Sequence, residues 1–185
     1  MMMKKNILSI TLAEMMIIIS LLLFMDCKSE PIADNSAIES VPFTSVKLTD
    51  QFWLPRIKIN QEVTIPIAIE QSTISGRIKN FEIAGGTATG KFCSEYPFDD
   101  SDIYKIIEAA SYSLQTTPDP KLEAIIDTLI TKVGKAQEPD GYLYTIRTIN
   151  GDDSHDWIGK RWEKEHILSH ETYNLGHLFE AAAAH

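Results

Sequence analysis

Four of the five histidines stand in the last twenty residues, at positions 166, 170, 177 and 185. Read as one helix from His166 onward, this stretch places His170, Asn174 and His177 at i, i+4 and i+7. At 100° per residue they fall within about 60° of one another, while Leu178, Phe179 and Ala182 lie on other sectors. A polar stripe on an alanine-rich helix fits a side that faces a wet cavity; a surface helix with exposed histidines fits the same pattern. His170-Glu171 opens like the HExxH zinc-protease motif, but position 174 is Asn. His166 and His170 are spaced to share a zinc ion, yet no third ligand is indicated, so no metal site is expected.

Asp99, Asp100 and Asp102 form the one tight carboxylate cluster. Clustered carboxylates serve glycoside hydrolysis or hold sugar hydroxyls. Asp100 or Ser101 capping a helix, with Asp102 complementing its dipole, explains the same residues without chemistry. Nucleophile-elbow, phosphate-loop and dinucleotide motifs are absent, since Gly85-Gly86-Thr87-Ala88-Thr89-Gly90 lacks the Lys-Ser/Thr that phosphate binding needs. Trp157, Trp162, Tyr142 and Tyr144 can stack on sugar rings or fill a core.

The elements that must position these groups are mainly helical. Phe43 to Trp53 alternates like a strand. Residues 55–75 stay undecided, because Val63, Ile65, Ile67 and Ile69 alternate while Pro66 argues against a central strand. Ser75 to Gly90 reads as loop. Residues 98–116 carry the clearest helix start, with Ile103, Ile106, Ile107, Ala110 and Leu114 as the buried stripe. A second helix runs from about Pro120 to Ala136, and Pro139-Asp140-Gly141 is a turn. Tyr142–Thr145 reads as extended and 148–160 as polar loop. Paired helices with short connections and no βαβ pattern indicate an antiparallel helical-hairpin array.

A chain of 185 residues with 44% hydrophobic and 23% charged content is globular and has room for one ordinary domain. A net charge of −9 excludes nucleic acid and an anionic membrane surface as main partners. Lys4 and Lys5 before the apolar run Met15–Met25 read as a secretory leader over residues 1–26, too short in its apolar part to span a bilayer. Cys27 directly after it fits lipoprotein processing, although Asp26 stands where a small residue is usual. A periplasmic or outer-membrane lipoprotein is the expectation, with residues 27–42 as a polar tether and a domain over 43–185. Export implies an oxidising compartment, where Cys93 would stay free only if buried.

Taken in order, VKLTDQFWLPRIKINQEVTIP (46–66), SGRIKNFEIAGG (75–86), GKFCSEYPFDDSDIYKIIEAASYSL (90–114), AQEPDGYLYT (136–145) and SHETYNLGHLFEAAAAH (169–185) resemble the N-terminal part of glycoside hydrolase family 127 and related β-L-arabinofuranosidase families. The resemblance implies a partial (α/α)6 barrel, a helical toroid, with the short N-terminal strand joining a β-sandwich, and it favours helix for 55–75. It implies removal of terminal β-L-arabinofuranose from plant-type glycans with retention, by a zinc-bound cysteine thiolate and a glutamate acid/base. It places His170, in the His-Glu-x-Tyr segment, against the sugar, and His177, of the following Gly-His, in the same cavity. Asp100 and Asp102 match the family's Asp-Ser-Asp motif and are expected to bind substrate.

The family's nucleophile, zinc ligands and acid/base lie downstream of the position matching His185, and Cys93 does not match the nucleophile. No catalytic residue, metal ligand or cofactor is therefore expected in this chain, which reads as a truncated, inactive fragment of an enzyme acting on an arabinose-containing oligosaccharide or glycan. The alternative is an exported, non-catalytic glycan-binding protein. A different helical-toroid enzyme, such as a uronyl hydrolase or polysaccharide lyase, is a more distant choice.

Overall fold

The computed structural model describes residues 39–185; the leader, Cys27 and most of the tether lie outside the described residues. The undecided stretch 55–75 is helical as far as Ile74: α1 (Trp53–Ile59), a π-helical segment (Asn60–Thr64) and α2 (Ile65–Ile74) follow without a break. Pro66 has no N–H to give to the carbonyl one turn back, and the ladder ahead of it widens, with Ile65 N–H bonding the Asn60 carbonyl. The helix absorbs the proline as a bulge.

The strand expected at Phe43–Trp53 does not form. Phe43–Ser45 is a single 3-10 turn, and Asp50 ends any extended run. Its carboxylate accepts the N–H groups of Phe52 at 2.8 Å and Trp53 at 2.5 Å, which starts α1. Among the described residues the one β contact is an isolated bridge between His155 and Ile158.

The supposed loop after Gly76 contains α3 (Arg77–Ala84). Ile78 and Phe81 bury their side chains, and Gly76, at φ +81°, supplies the left-handed corner between α2 and α3. Two helices follow the periodicity closely: α4 (Asp100–Thr116) and α5 (Pro120–Ala136). Asp119 caps α5 by accepting from Lys121 N–H at 2.9 Å and Leu122 N–H at 3.3 Å, with Pro120 in the first turn. A short α6 (Thr145–Asn150) stands where extended chain and loop were expected. Finally, α7 (Glu171–Ala184) begins five residues later than the sequence implied, because 161–168 fold into turns.

The core lies where α2, α3, α4, α5 and α7 meet, around Phe81, Ile103, Tyr104, Ile107, Ile126 and Leu129. The Phe81 and Tyr104 rings pack edge to face at 5.8 Å. α4 and α7 lie side by side and parallel. Lys105 meets Tyr173 near their starts, and the Gln115 side chain reaches the Ala184 carbonyl near their ends. α2 runs the opposite way, with its last turn beside the first turns of α4. A smaller cluster of Tyr142, Tyr144, Ile146 and Ile158 supports the loops beside the start of α7.

A Cβ on Gly76 would stand 2.4 Å from the Cys93 Cβ, in a backbone conformation that side chains resist. Gly76→Ala is therefore expected to lower unfolding stability by about 2–4 kcal/mol, from left-handed strain together with overpacking. Urea denaturation of the two chains measures the difference, and a change below about 0.5 kcal/mol would contradict it.

Candidate functional site

Glu165 sets where α7 begins. Its carboxylate accepts the N–H of Glu171 at 2.6 Å and of Thr172 at 3.2 Å, two donors that a helix start leaves unpaired. It also accepts the hydroxyls of Ser169, at 2.6 Å, and Thr172. Burial alone would raise the pKa of Glu165, but these donated hydrogen bonds outweigh it and hold the group below its ordinary value. Reaching the helix from six residues upstream requires the chain to turn back, so His166 is not on α7.

The two neighbours of His170 are fixed in the interior. Ser169 is 0% exposed, and its carbonyl accepts the Tyr144 hydroxyl at 2.5 Å. Glu171 is 4% exposed; it accepts the Tyr142 hydroxyl at 2.5 Å and the Trp162 N–H at 3.0 Å. Burial raises the Glu171 pKa, and the two donors offset part of that rise. Between these anchors His170 adopts φ +55° and ψ 30°. Left-handed backbone costs a residue with a side chain about 1–2 kcal/mol, so the surroundings must impose it. The His170 ring packs on the edge of Phe98 at 4.7 Å and tilts against Tyr173 at 5.7 Å.

His170 opens onto a cavity of about 200 Å³, lined also by Phe98, Ser101, Asp102, Lys105 and Tyr173. Lys105 donates to the Tyr173 hydroxyl at 2.6 Å and to Ser101 Oγ at 3.3 Å. Asp102 Oδ2 accepts from Arg77 Nε at 2.8 Å, and the same guanidinium lies 3.1 Å from Asp99. Burial raises the Asp99 pKa despite Arg77. With Asp99, which also lines it, the wall holds an imidazole, an ammonium, two hydroxyls and two carboxylates paired with Arg77, beside the rings of Phe98 and Tyr173, which suits a neutral, hydroxyl-rich ligand.

Of the four residues expected to bind substrate, the structure brings His170 and Asp102 to this cavity. Asp100 stands behind it. The residue is 1% exposed and accepts the Thr145 N–H at 2.8 Å and the Thr145 hydroxyl at 2.5 Å. It does not cap α4; the position ahead of the helix is Asp99, whose side chain makes no capping bond. Burial pushes the Asp100 pKa up to about 7, against the pull of both Thr145 donors. His177 is two turns down α7, where its Nδ1 lies 2.9 Å from Glu180 and its ring meets the edge of Tyr173 at 4.6 Å.

The stripe read as facing a wet cavity is interrupted. Asn174 is buried, and its amide has no hydrogen-bond partner among the described residues. Among the described residues the donors that converge are Glu108, His177 and Glu180, mutually within 4.8 Å, and neither His166 nor His170 is one of them. This set can take a divalent cation, though His177 Nδ1 and Glu180 already contact each other at 2.9 Å. A zinc-thiolate centre does not fit the described residues. Cys93 is exposed, its thiol donates to the Lys91 carbonyl at 3.2 Å, and it belongs to no group of converging ligands. The burial that would keep this thiol free in an oxidising compartment is therefore missing.

Tyr142 and Tyr144, read as possible sugar platforms, are anchors turned inward. Trp162 packs on the edge of Tyr142 at 5.4 Å, and Trp157 stacks on Phe98 at 6.4 Å. Lys105, Tyr173 and Phe98 escaped the sequence reading. Tyr173 and His170 lie three apart, a helical neighbour spacing that could have drawn attention to it; Lys105 gave no such sign.

Residues 45–185 match the family described as β-L-arabinofuranosidase, GH127 catalytic domain. A non-reducing end β-L-arabinofuranosidase of Bifidobacterium longum subsp. longum is 37% identical over 111 residues, 60% of this chain and 16% of that protein. A solved GH127 β-arabinofuranosidase superposes with TM-score 0.74 at 52% identity, over 80% of this chain and 24% of the other. A GH127 β-L-arabinofuranosidase from Geobacillus stearothermophilus T6 gives TM-score 0.67 at 41% identity, over 75% and 22%. The chain spans about a quarter or less of the length of these relatives.

Asp100 makes a signed prediction for pH. Its folded pKa, about 7, lies above the ordinary value of 3.8, so the folded state holds the proton more tightly. The stability it contributes is full below about pH 4 and is lost as pH rises toward 7. Asp100→Asn removes this titration. Relative to the native chain, the variant should gain stability steadily between pH 4 and pH 7, measured by urea denaturation across that range. A constant difference between the two chains would contradict it.

Proposed function

We propose a function from one fact: the chain belongs to the β-L-arabinofuranosidase GH127 catalytic-domain family. It forms part of a glycosidase that releases terminal β-L-arabinofuranose from arabinose-containing oligosaccharides or plant-type glycans. The described helices are a segment of an (α/α)6 toroid, and their part is to bind and orient the sugar. No thiol stands in the His170 cavity, and its carboxylates are engaged by Arg77. The nucleophile and acid/base are therefore assigned outside the described residues.

The observation that carries this reading is His170 itself. A left-handed histidine, braced on both sides by buried hydrogen bonds, opens onto a cavity with Asp102 and Lys105. Strain of this kind persists where the surroundings over-determine it, and it collects at binding and catalytic positions. We also infer export, from Lys4, Lys5 and the Met15–Met25 run, with a lipid on Cys27.

The test is direct binding of methyl β-L-arabinofuranoside to the 185-residue chain, followed by saturation-transfer NMR and calorimetry. Native chain should bind, and His170→Ala should bind at least about 10-fold more weakly, a loss of about 1.4 kcal/mol. A cooperatively folded native chain that binds nothing, or a His170→Ala chain with unchanged affinity, would sink the proposal. An exported non-catalytic binder would show the same binding and no release of arabinose when joined with the remainder of a family catalytic domain.

A further inference from the structure

Along the seam between the parallel helices α4 and α7 lies a side-chain cluster that takes no part in the His170 cavity. Glu108 comes from α4; His177 and Glu180, neighbours on one face at i and i+3, come from α7. One donor atom from each lies within 4.8 Å of the other two. An imidazole nitrogen with two carboxylate oxygens is a ligand set for a divalent first-row transition metal, since imidazole favours these ions over magnesium or calcium.

The seam is short of partners for its polar groups. His177 Nδ1 is buried and stands 2.9 Å from Glu180 Oε2, yet the contact lacks hydrogen-bond direction, and Nδ1 has no hydrogen-bond partner among the described residues. Two acceptors at that distance, with no proton aimed between them, repel each other unless a cation joins them. At metal–ligand lengths of about 2.1 Å, a 2.9 Å separation subtends about 90° at the ion, the angle between neighbouring octahedral ligands. Charge points the same way. Among the described residues neither Glu108 nor Glu180 pairs with a lysine or arginine, so no fixed cation offsets the two carboxylates. One turn nearer the helix starts, Asn174 and Tyr104 are each 1% exposed, and the Asn174 amide and Tyr104 hydroxyl have no partner among the described residues. Buried polar groups are normally satisfied, and water carried by a bound ion would supply what this seam lacks.

We propose that Glu108, His177 and Glu180 hold one divalent transition-metal ion that cross-links α4 to α7. Glu180 is exposed, so the remaining coordination positions face solvent and take water. The link lies one turn along from Lys105 and Tyr173, and it fixes the two helices that carry facing walls of the His170 cavity. Its part is structural, and it holds whether or not that cavity binds a sugar.

The test is calorimetric titration of the metal-free 185-residue chain with zinc chloride, and absorption spectroscopy of the same chain with cobalt(II). One ion per chain should bind, with cobalt bands of nitrogen and oxygen ligation and a raised melting temperature. Glu108→Gln and Glu180→Gln keep side-chain size and remove the ligating charge. Each should weaken binding at least about 10-fold and abolish the thermal shift, with native circular dichroism. His166→Gln and Cys93→Ser should change neither. A folded native chain that takes up no ion, or an affinity that survives both glutamine substitutions, overturns the site. So does a thiolate–cobalt charge-transfer band, which would put the ion on a cysteine.

Discussion

The site depends on one constraint: the chain on either side of His170 is pinned before His170 itself is placed. Tyr144 holds the Ser169 carbonyl, Tyr142 and Trp162 hold the Glu171 carboxylate, and Glu165 takes the first N–H groups of α7. Each bond is buried or half-buried, where leaving a polar group unpaired costs about 1–3 kcal/mol. Together they exceed the cost of one left-handed residue. In the Ser-His-Glu triplet the outer residues are structural, and the middle one is free to meet a ligand. A Glu directly after a His is here an anchor and not a proton donor.

The rest of the fold supplies the wall opposite that histidine. Parallel packing of α4 and α7 puts both helix starts at the same end, so Asp102 and Lys105 come level with His170 and Tyr173. Three aspartates at the head of one helix would repel each other, and two arrangements relieve this. Arg77, delivered by α3, spans Asp99 and Asp102, while Asp100 is buried on Thr145 with a pKa shifted toward neutrality. The Gly76 corner matters for this reason: it turns α3 back so that its first residue reaches the start of α4.

Helices α4 and α5 were legible in the sequence because a strong 3.6-residue apolar period and Asp or Pro signals agree there. The resemblance also named His170 and Asp102, which the fold brings to one cavity. The N-terminal strand misled because Val46, Leu48 and Phe52 alternate, while the deciding group, Asp50, acts on the residues after it. α3 was hidden by flanking glycines that allow only eight residues. The start of α7 was misplaced because its cap comes from Glu165, a non-local acceptor that no spacing rule anticipates. Asp100 looked like a cap, since sequence shows the helix start but not Thr145 packed against it from 45 residues away. Burial of Asn174 and exposure of Cys93 are likewise tertiary outcomes.

The most direct test of the central claim leaves the cavity untouched. Tyr144 is fully buried and does not line it, yet its hydroxyl fixes the residue before His170. The measurement is the affinity of Tyr144→Phe for methyl β-L-arabinofuranoside, with cooperative unfolding confirmed for the same sample. Bracing of His170 predicts a several-fold loss of affinity in a folded chain whose cavity residues are all native. Native affinity in that variant would show that His170 holds its place without the anchors, and would contradict the account.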